Sequence, residues 1–507
     1  MSKRVRAIFG DFQTPNDLAS EVAALVLSVD DGFSSVVEPT CGTGSILVAA
    51  AESMGSDATY FGFDINPRYV EQCREAVHSV GVEARVEQGD FYQADWRAFF
   101  AELPPKILVI GNLPWVTNSA LGALGGDNLP AKSNFQGHNG FAAKTGKANF
   151  DISEWMLIRL LEGLSGRPAT LAMLCKTATA RKVLRHAWRN GFDLGESSLH
   201  VIDAARHFGV SVDACLLLTH TGRSDGEQRA TVYADLSFVH PLQTMGMVSG
   251  ELVSDVATYL ELRDLDGVEY RRWRSGVKHD AARVMELEQV AGGYRNGLGE
   301  TWPLELDFVY PLLKSSDLAN GRLAPRRHVL LTQSRVSDDT AAIETLAPAT
   351  WAYLHRHGDA FDARGSSIYA NRARFAVFGV GPYTFAPWKV AVSGLYQHLH
   401  FQPIGSLDGK PVVVDDTCYF FPCQTQEEAA FFAGLLNSET AQRFLRSLIF
   451  FDSKRAITID ALRRIDLLKL AERLGQREKA AAYLVDAPFE QGAQQLLLFE
   501  EKEAYRA

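Results

Sequence analysis

Short apolar runs and longer helical stretches alternate along the first 220 or so residues. SVVEP, ATYFGFDI, ARVEQGD, KILVIGN, ATLAMLC and ACLLLTH are compact runs bounded by polar or turn residues, and they predict strands. LASEVAALVLSV, SILVAAAESMG, RYVEQCREAVHSV and SEWMLIRLLEGL carry apolar residues at helical spacing between those runs. The alternation predicts an α/β fold: a mostly parallel, doubly wound, Rossmann-like sheet. Beyond about residue 240 the pattern loosens and turn residues multiply, which predicts an α+β domain from 240 to 480. EEAAFFAGLLNSETAQRFLRSLIFF and IDALRRIDLLKLAERL read as helices near its end. The expected division is therefore 1–235, 240–480 and a tail over 481–507.

Composition narrows the class without changing this picture. With 46% hydrophobic and 22% charged residues, the chain has the make-up of an ordinary globular protein. No apolar run approaches the roughly 18–20 residues that span a membrane, so no membrane partner is expected. The start, MSKRVRAIFGDFQTP, lacks the apolar core of an export signal, and the six cysteines are scattered without a CxxC pair. A cytoplasmic protein without zinc is the expectation. The formal net charge of −10 argues against a nonspecific polycation, yet local basic clusters stand out. They are Arg271, Arg272, Arg274 and Lys278; Arg322, Arg326, Arg327 and His328; Arg364, Arg372 and Arg374; and Lys454 with Arg455. Each is a candidate phosphate contact, and each equally fits a solvated surface.

Chemistry first shows itself in VVEPTCGTGSILVAAAE, an apolar strand, a turn with Gly42 and Gly44, then a helix. Glycines there let a ligand approach the backbone closely, at the carboxyl edge where such sheets bind ligands. Glu38 precedes the turn, placed to meet a cationic amino group. The next strand ends at Asp64, whose carboxylate can accept hydrogen bonds from two ribose hydroxyls. The third ends in QGDFY, where Asp90 could bind an adenine amine and Phe91 pack on the ring. One such acid is unremarkable as a helix cap. Three at successive strand ends point to a nucleoside-bearing cofactor.

The fourth strand stops at Asn112-Leu113-Pro114-Trp115. In this motif and in the order of motifs before it, the chain resembles the gamma class of N6-adenine DNA methyltransferases, of the TaqI-like restriction-modification type. Their signature is Asn/Asp-Pro-Pro followed by an aromatic residue. The resemblance covers about residues 8–220. It implies S-adenosylmethionine as cofactor, with GDFQTP supplying an early contact motif through Phe12, Thr14 and Pro15. Thr40 and Asn112 join Glu38, Gly42, Gly44, Asp64, Asp90 and Phe91 in the implied cofactor set. It implies double-stranded DNA as partner, a role in restriction-modification or phage defence, and a separate endonuclease as possible companion.

The tetrapeptide has a direct physical rationale. An adenine amine is a poor nucleophile because its lone pair is delocalised into the ring. Two acceptors gripping its N–H groups, the Asn112 side-chain oxygen and the Leu113 carbonyl, would free that pair for attack on a methyl group. Leu113 replaces the family's first proline but keeps the carbonyl, and Pro114 still biases it toward an extended backbone. Trp115 offers a stacking face for the extruded base, and Phe208 in HFGVSVDACLLLT holds the family's second stacking position. The long polar stretch from Val116 to Phe150, with Lys132, Lys144 and Lys147, would close over the base or follow the DNA backbone, and Phe150 could line the adenine pocket.

Aromatic and basic residues interleave through 240–480, as in a target-recognition domain whose arginines read guanines or hold phosphates. No nuclease constellation is visible there. Two other readings stay open: the same chemistry on cytosine N4, RNA adenine or a protein glutamine, or a DNA specificity subunit without catalysis.

Overall fold

A computed structural model describes residues 13–116, 151–222, 226–453 and 455–484. The chain divides into two compact units, the first reaching Ala257 and the second starting at Thr258.

The first unit is built on a ten-stranded sheet. Its strands are β1 (Ser35–Glu38), β2 (Thr59–Asp64), β3 (Ala84–Gln88), β4 (Ile107–Asn112), β5 (Ala169–Lys176), β6 (Leu194–Ile202), β7 (Ala214–Thr221), β8 (Arg229–Tyr233), β9 (Pro241–Val248) and β10 (Glu251–Val253). They lie in the order β10-β9-β8-β6-β7-β5-β4-β1-β2-β3. Strands β1 to β5 pair in parallel, while β7 runs antiparallel between β5 and β6. The chain leaves β1 toward β2 and β3 on one side and returns to β4 on the other. That reversal opens a crevice at the carboxyl ends of β1 and β4, where Glu38 and Asn112 lie.

Six helices accompany these strands: α1 (Asn16–Val29), α2 (Ser45–Met54), α3 (Pro67–Ser79), α4 (Trp96–Glu102), α5 (Ile152–Leu164) and α6 (Thr177–Arg189). Local chemistry sets where they start. Asn66 accepts from Arg68 N at 3.0 Å with Pro67 as the first residue of α3, and Asp95 and Asp151 cap α4 and α5 in the same way. A short helix, α7 (Ala204–Phe208), follows β6. Leu18, Val22, Leu47, Tyr60, Val77 and Leu216 belong to the core that holds α1, α2 and α3 to the sheet.

Each strand and helix expected in this half is present. Strand β6 was not expected, because GESSLHV is too polar to read as buried. Its hydroxyls satisfy one another inside the sheet: Ser197 Oγ lies 2.7 Å from Thr219 Oγ1, and Ser198 Oγ 3.0 Å from His200 Nε2. Strands β8 to β10 also belong to this sheet, so the first unit runs past the boundary expected near 235–240.

The second unit holds two sheets. One comprises β12 (Glu286–Val290), β13 (Gly293–Asn296), β14 (Thr301–Trp302), β15 (Val309–Leu313), β16 (Arg327–Leu330) and β19 (Val413–Val414), ordered β14-β13-β12-β16-β15-β19. The other comprises β11 (Arg274–Ser275), β17 (Trp388–Ser393), β18 (Gln402–Gly405) and β20 (Cys418–Cys423), ordered β11-β20-β17-β18. This is the α+β character expected. The long helical stretch near the end divides at Asn437 into Gln426–Leu436 and Glu439–Leu448. Asn437 turns its amide onto Phe401 N and O, at 2.9 and 2.8 Å, while Ser438 caps the second helix. Among the described residues no helix is long and apolar enough to cross a membrane.

Candidate active site

The turn after β1 is shaped by its glycines. Gly42 and Gly44 adopt φ of +50° and +90°, left-handed values that strain any residue with a Cβ. A Cβ on Gly42 would come within 2.5 Å of Gln13 Oε1, and one on Gly44 within 2.6 Å of Cys73 Sγ. Gln13 Oε1 accepts from Thr43 N and Oγ1, both at 3.0 Å, so Gln13 clasps the turn. Ser45 Oγ donates to Thr14 O at 2.8 Å, and Pro15 stands at the start of α1.

Glu38 lies beneath the turn, only 3% exposed, with Oε2 accepting from Leu47 N at 3.1 Å. Burial pushes its carboxyl well above the usual carboxylate range, and the nearby Cys73 and Asp64 add to the shift. It braces the first turn of α2. Gly111 of β4 lets it pack there, since a Cβ would meet Glu38 Cγ at 3.3 Å.

Asp64, at the tip of β2, accepts from Gly42 N at 3.0 Å through Oδ2 and from Asn66 N at 2.8 Å through Oδ1. These bonds fix the carboxylate at the tip of β2. Asp90, past β3, accepts from Tyr92 N at 3.0 Å and Gln93 Nε2 at 2.9 Å. Phe91 is buried, its ring 4.9 Å from Trp96 and 6.2 Å from Trp155. Tyr92 stands 5.3 Å from Trp155, its phenol raised by burial first and by the Asp90 charge second. A turn kept open at Gly42 and Gly44, a fixed acceptor pair and an aromatic wall at three adjacent strand tips fit an adenosyl ligand.

Asn112 joins this region to the tetrapeptide. Its Nδ2 donates to Thr14 Oγ1 at 3.3 Å, and its backbone oxygen accepts from Thr40 Oγ1 at 3.2 Å. The first bond fixes the rotation of the amide, with Oδ1 on the side away from Thr14. Asn112 pairs with Leu174 of β5, and Leu113 lies one residue beyond that last paired position. Trp115 Nε1 donates to Leu174 O at 3.4 Å. Phe208 meets the Trp115 ring edge-on at 4.9 Å, so the two aromatic residues singled out from the sequence are neighbours. Trp115 is only 5% exposed under that contact.

Phe12, Lys132, Lys144, Lys147, Phe150 and Lys454 lie outside the described residues. Nothing in the residue pattern hinted at the Gln13 clasp or at the Thr14 and Thr40 bonds to Asn112. It also hid the pair between Lys176, at the tip of β5, and Asp151, at 2.6 Å. Each joins segments far apart in sequence, so spacing carries no trace of it. The structure also sorts the basic clusters. Arg271 and Arg274 are buried, the first on Glu428 and the second 4.5 Å above the Tyr383 ring, and so are not phosphate contacts. Arg364 is spent on the carbonyls of Ala376 and Arg374 and on the Tyr369 ring at 3.6 Å.

Residues 31–101 match the family model of a methyltransferase domain. The type II methyltransferase M.NspV of Nostoc sp. is 40% identical over 473 residues, covering 93% of this chain and 98% of that protein. Among solved structures, the type IIL restriction-modification enzyme MmeI in complex with DNA is similar over 87% of this chain with a TM-score of 0.56. Identity to it is 11% and the match spans 63% of its length, under two thirds, so this likeness is one of fold. The methyltransferase subunit of a type I restriction-modification system from Streptococcus thermophilus matches 44% of this chain and 46% of its own, at 17% identity and a TM-score of 0.33. The crevice is thus that of a class I methyltransferase fold, and by its match to M.NspV along nearly its whole length the chain belongs to the type II methyltransferase family, with S-adenosylmethionine as its methyl donor.

Proposed function

We propose that this chain methylates N6 of adenine in double-stranded DNA as a gamma-class enzyme. The type II designation of its family belongs to restriction-modification, whose methyltransferases act on DNA, and a separate endonuclease is the natural companion. The observation that carries the adenine reading is Asn112 at the tip of β4, tied on one side to Thr14 and on the other to Thr40.

In this reading Asn112 Oδ1 accepts one N–H of the target amine and the Leu113 carbonyl accepts the other. Two fixed acceptors draw the nitrogen toward tetrahedral geometry and localise its lone pair. When bound, S-adenosylmethionine supplies an electrophilic methyl group. Asp64 holds the ribose hydroxyls, Asp90 the adenine amine and Phe91 its ring, while Gly42 and Gly44 keep the turn clear. Positioning and fixed dipoles carry most of the rate, and no covalent enzyme intermediate is needed. The target base leaves the duplex stack to reach the crevice. Half-buried Phe208, and Trp115 in edge-on contact with it, are the stacking partners of this reading.

The test is transfer of a labelled methyl group to duplex DNA, followed by digestion to nucleosides. Label is expected on N6-methyldeoxyadenosine. Asn112→Ala should lower the turnover number by about 10²–10³ with S-adenosylmethionine affinity retained in calorimetry. Label on N4-methyldeoxycytidine, or full turnover in the variant, overturns the assignment.

A further inference from the structure

Several exposed arginines in the second unit are matched one to one with a carboxylate at short range. Arg295 lies 2.7 Å from Glu288, Arg374 2.5 Å from Asp362, Arg443 2.5 Å from Glu261 and Arg473 2.9 Å from Asp264. Such pairs neutralise their own charge and use their donors.

One group departs from this pattern. Arg322, Arg326 and Arg327 converge on a single carboxylate, Asp317, at 3.5, 3.8 and 3.8 Å. These separations exceed the roughly 2.7–2.9 Å of a tight charge-assisted bond. The arginine side chains are 45%, 68% and 46% exposed, whereas the Asp317 side chain is 8% exposed. Asp317 is also committed elsewhere, since its Oδ2 accepts from Lys314 N at 3.1 Å. The backbone fixes the cluster, as Arg322 N donates to Asp317 O at 2.9 Å and Arg322 Nη2 to Ser316 O at 3.2 Å. Three cations around one anion leave a local surplus of two positive charges on a chain of net charge −10. The mutual repulsion of the guanidiniums falls when a further anion docks against them. Their planar forks suit a tetrahedral oxyanion.

We infer that Arg322, Arg326 and Arg327 form a clamp for backbone phosphates of the DNA. The inference rests on the reading of the chain as a DNA enzyme and assigns the partner contact to this cluster rather than to the buried or one-to-one paired arginines. Backbone contacts of this kind fix register and strength of binding without reading bases.

The experiment measures affinity of the full chain for a mixed-sequence duplex by fluorescence anisotropy, from 50 to 200 mM salt. Each phosphate contact contributes about 0.9 to the slope of log affinity against log salt. Arg322→Gln/Arg326→Gln/Arg327→Gln should flatten the slope by about 2–3 and weaken low-salt binding at least about tenfold. Arg326→Gln alone, at the most exposed position and therefore harmless to folding, should flatten it by about 0.9. Arg295→Gln/Arg374→Gln, which removes two paired arginines, should leave it unchanged. The clamp is refuted if the triple and Arg326 variants keep the parent slope, or if the paired-arginine control flattens as much. Methyl transfer by the parent enzyme separates the two levels: a parent that methylates DNA while the triple variant keeps its slope sinks the clamp alone. A parent that neither binds nor methylates duplex DNA sinks both.

Discussion

The two units differ in how their chemistry is laid out. In the first, the residues assigned to chemistry stand at the ends of consecutive parallel strands, Glu38, Asp64 and Asn112, or just past one, Asp90. Sheet topology brings those ends to one crevice, so their order in the sequence is already their neighbourhood in space. In the second, the functional candidates are arginines, and adjacency in sequence says little about their fate. Arg271 and Arg274 are buried while Arg272 between them is half-buried; Arg322, Arg326 and Arg327 face solvent around Asp317. The lesson is that a motif is readable when backbone geometry fixes what each position must do. A charge becomes readable only once its partner is known.

The sharpest way to break this contrast is Arg271→Met. If Arg271 is structural, the variant loses folding stability and not the salt dependence of DNA binding. The Arg271 and Glu428 side chains are 4% and 3% exposed, and the arginine also bonds to Tyr483 O. Removing one partner of such a pair leaves a buried charge and costs about 3–5 kcal/mol. Denaturant unfolding should show that loss, and Arg271→Met/Glu428→Leu should recover most of it. A variant as stable as its parent with a flattened salt slope would return Arg271 to the phosphate contacts.

A second buried cation sharpens the point. Lys389 lies 1% exposed in β17, donating to Ala386 O at 2.8 Å. Burial brings its ammonium down to about 7 from 10.5. Below pH 7 both folded and unfolded states carry the charge, and the folded state bears the full burial penalty. Between about 7 and 10.5 the unfolded chain binds a proton that the folded chain lacks, so stability rises with pH. Lys389→Met should therefore stabilise the protein, by about 2–4 kcal/mol near pH 6 and by progressively less toward pH 10. Paired denaturant melts across that range check it. A gain independent of pH would place the effect in packing rather than in the charge.

These cases show why the sequence was legible unevenly. The strands from β1 to β5 and the glycine turn follow from apolar runs and from φ values that only glycine adopts without strain. Strand β6 was hidden because Ser197, Ser198 and His200 bond within the sheet, and pairing is invisible to a hydropathy pattern. Helix Gln426–Leu436 stops where Asn437 bonds to Phe401, a residue 36 positions away. Trp115 was legible as an aromatic beside Asn112, but its cover by Phe208 was not. What escaped depends on partners distant in the chain.

Thr14 gives the smallest and most discriminating effect, because it tests whether such a distant partner matters to chemistry in the first unit. Its hydroxyl receives Asn112 Nδ2 at 3.3 Å and sits in a segment that also holds Ser45. Thr14→Val keeps nearly the same shape and removes the acceptor, so the amide loses the bond that sets its rotation. A neutral hydrogen bond contributes about 1 kcal/mol, equivalent to a roughly fivefold fall in rate when the bond acts on the reacting geometry. Single-turnover methyl transfer at saturating S-adenosylmethionine should slow by about that factor, while the Thr14 carbonyl keeps its bond from Ser45. If affinity falls and the single-turnover rate does not, Thr14 serves the cofactor alone, and the link from the early GDFQTP segment to Asn112 has no part in orienting the amide.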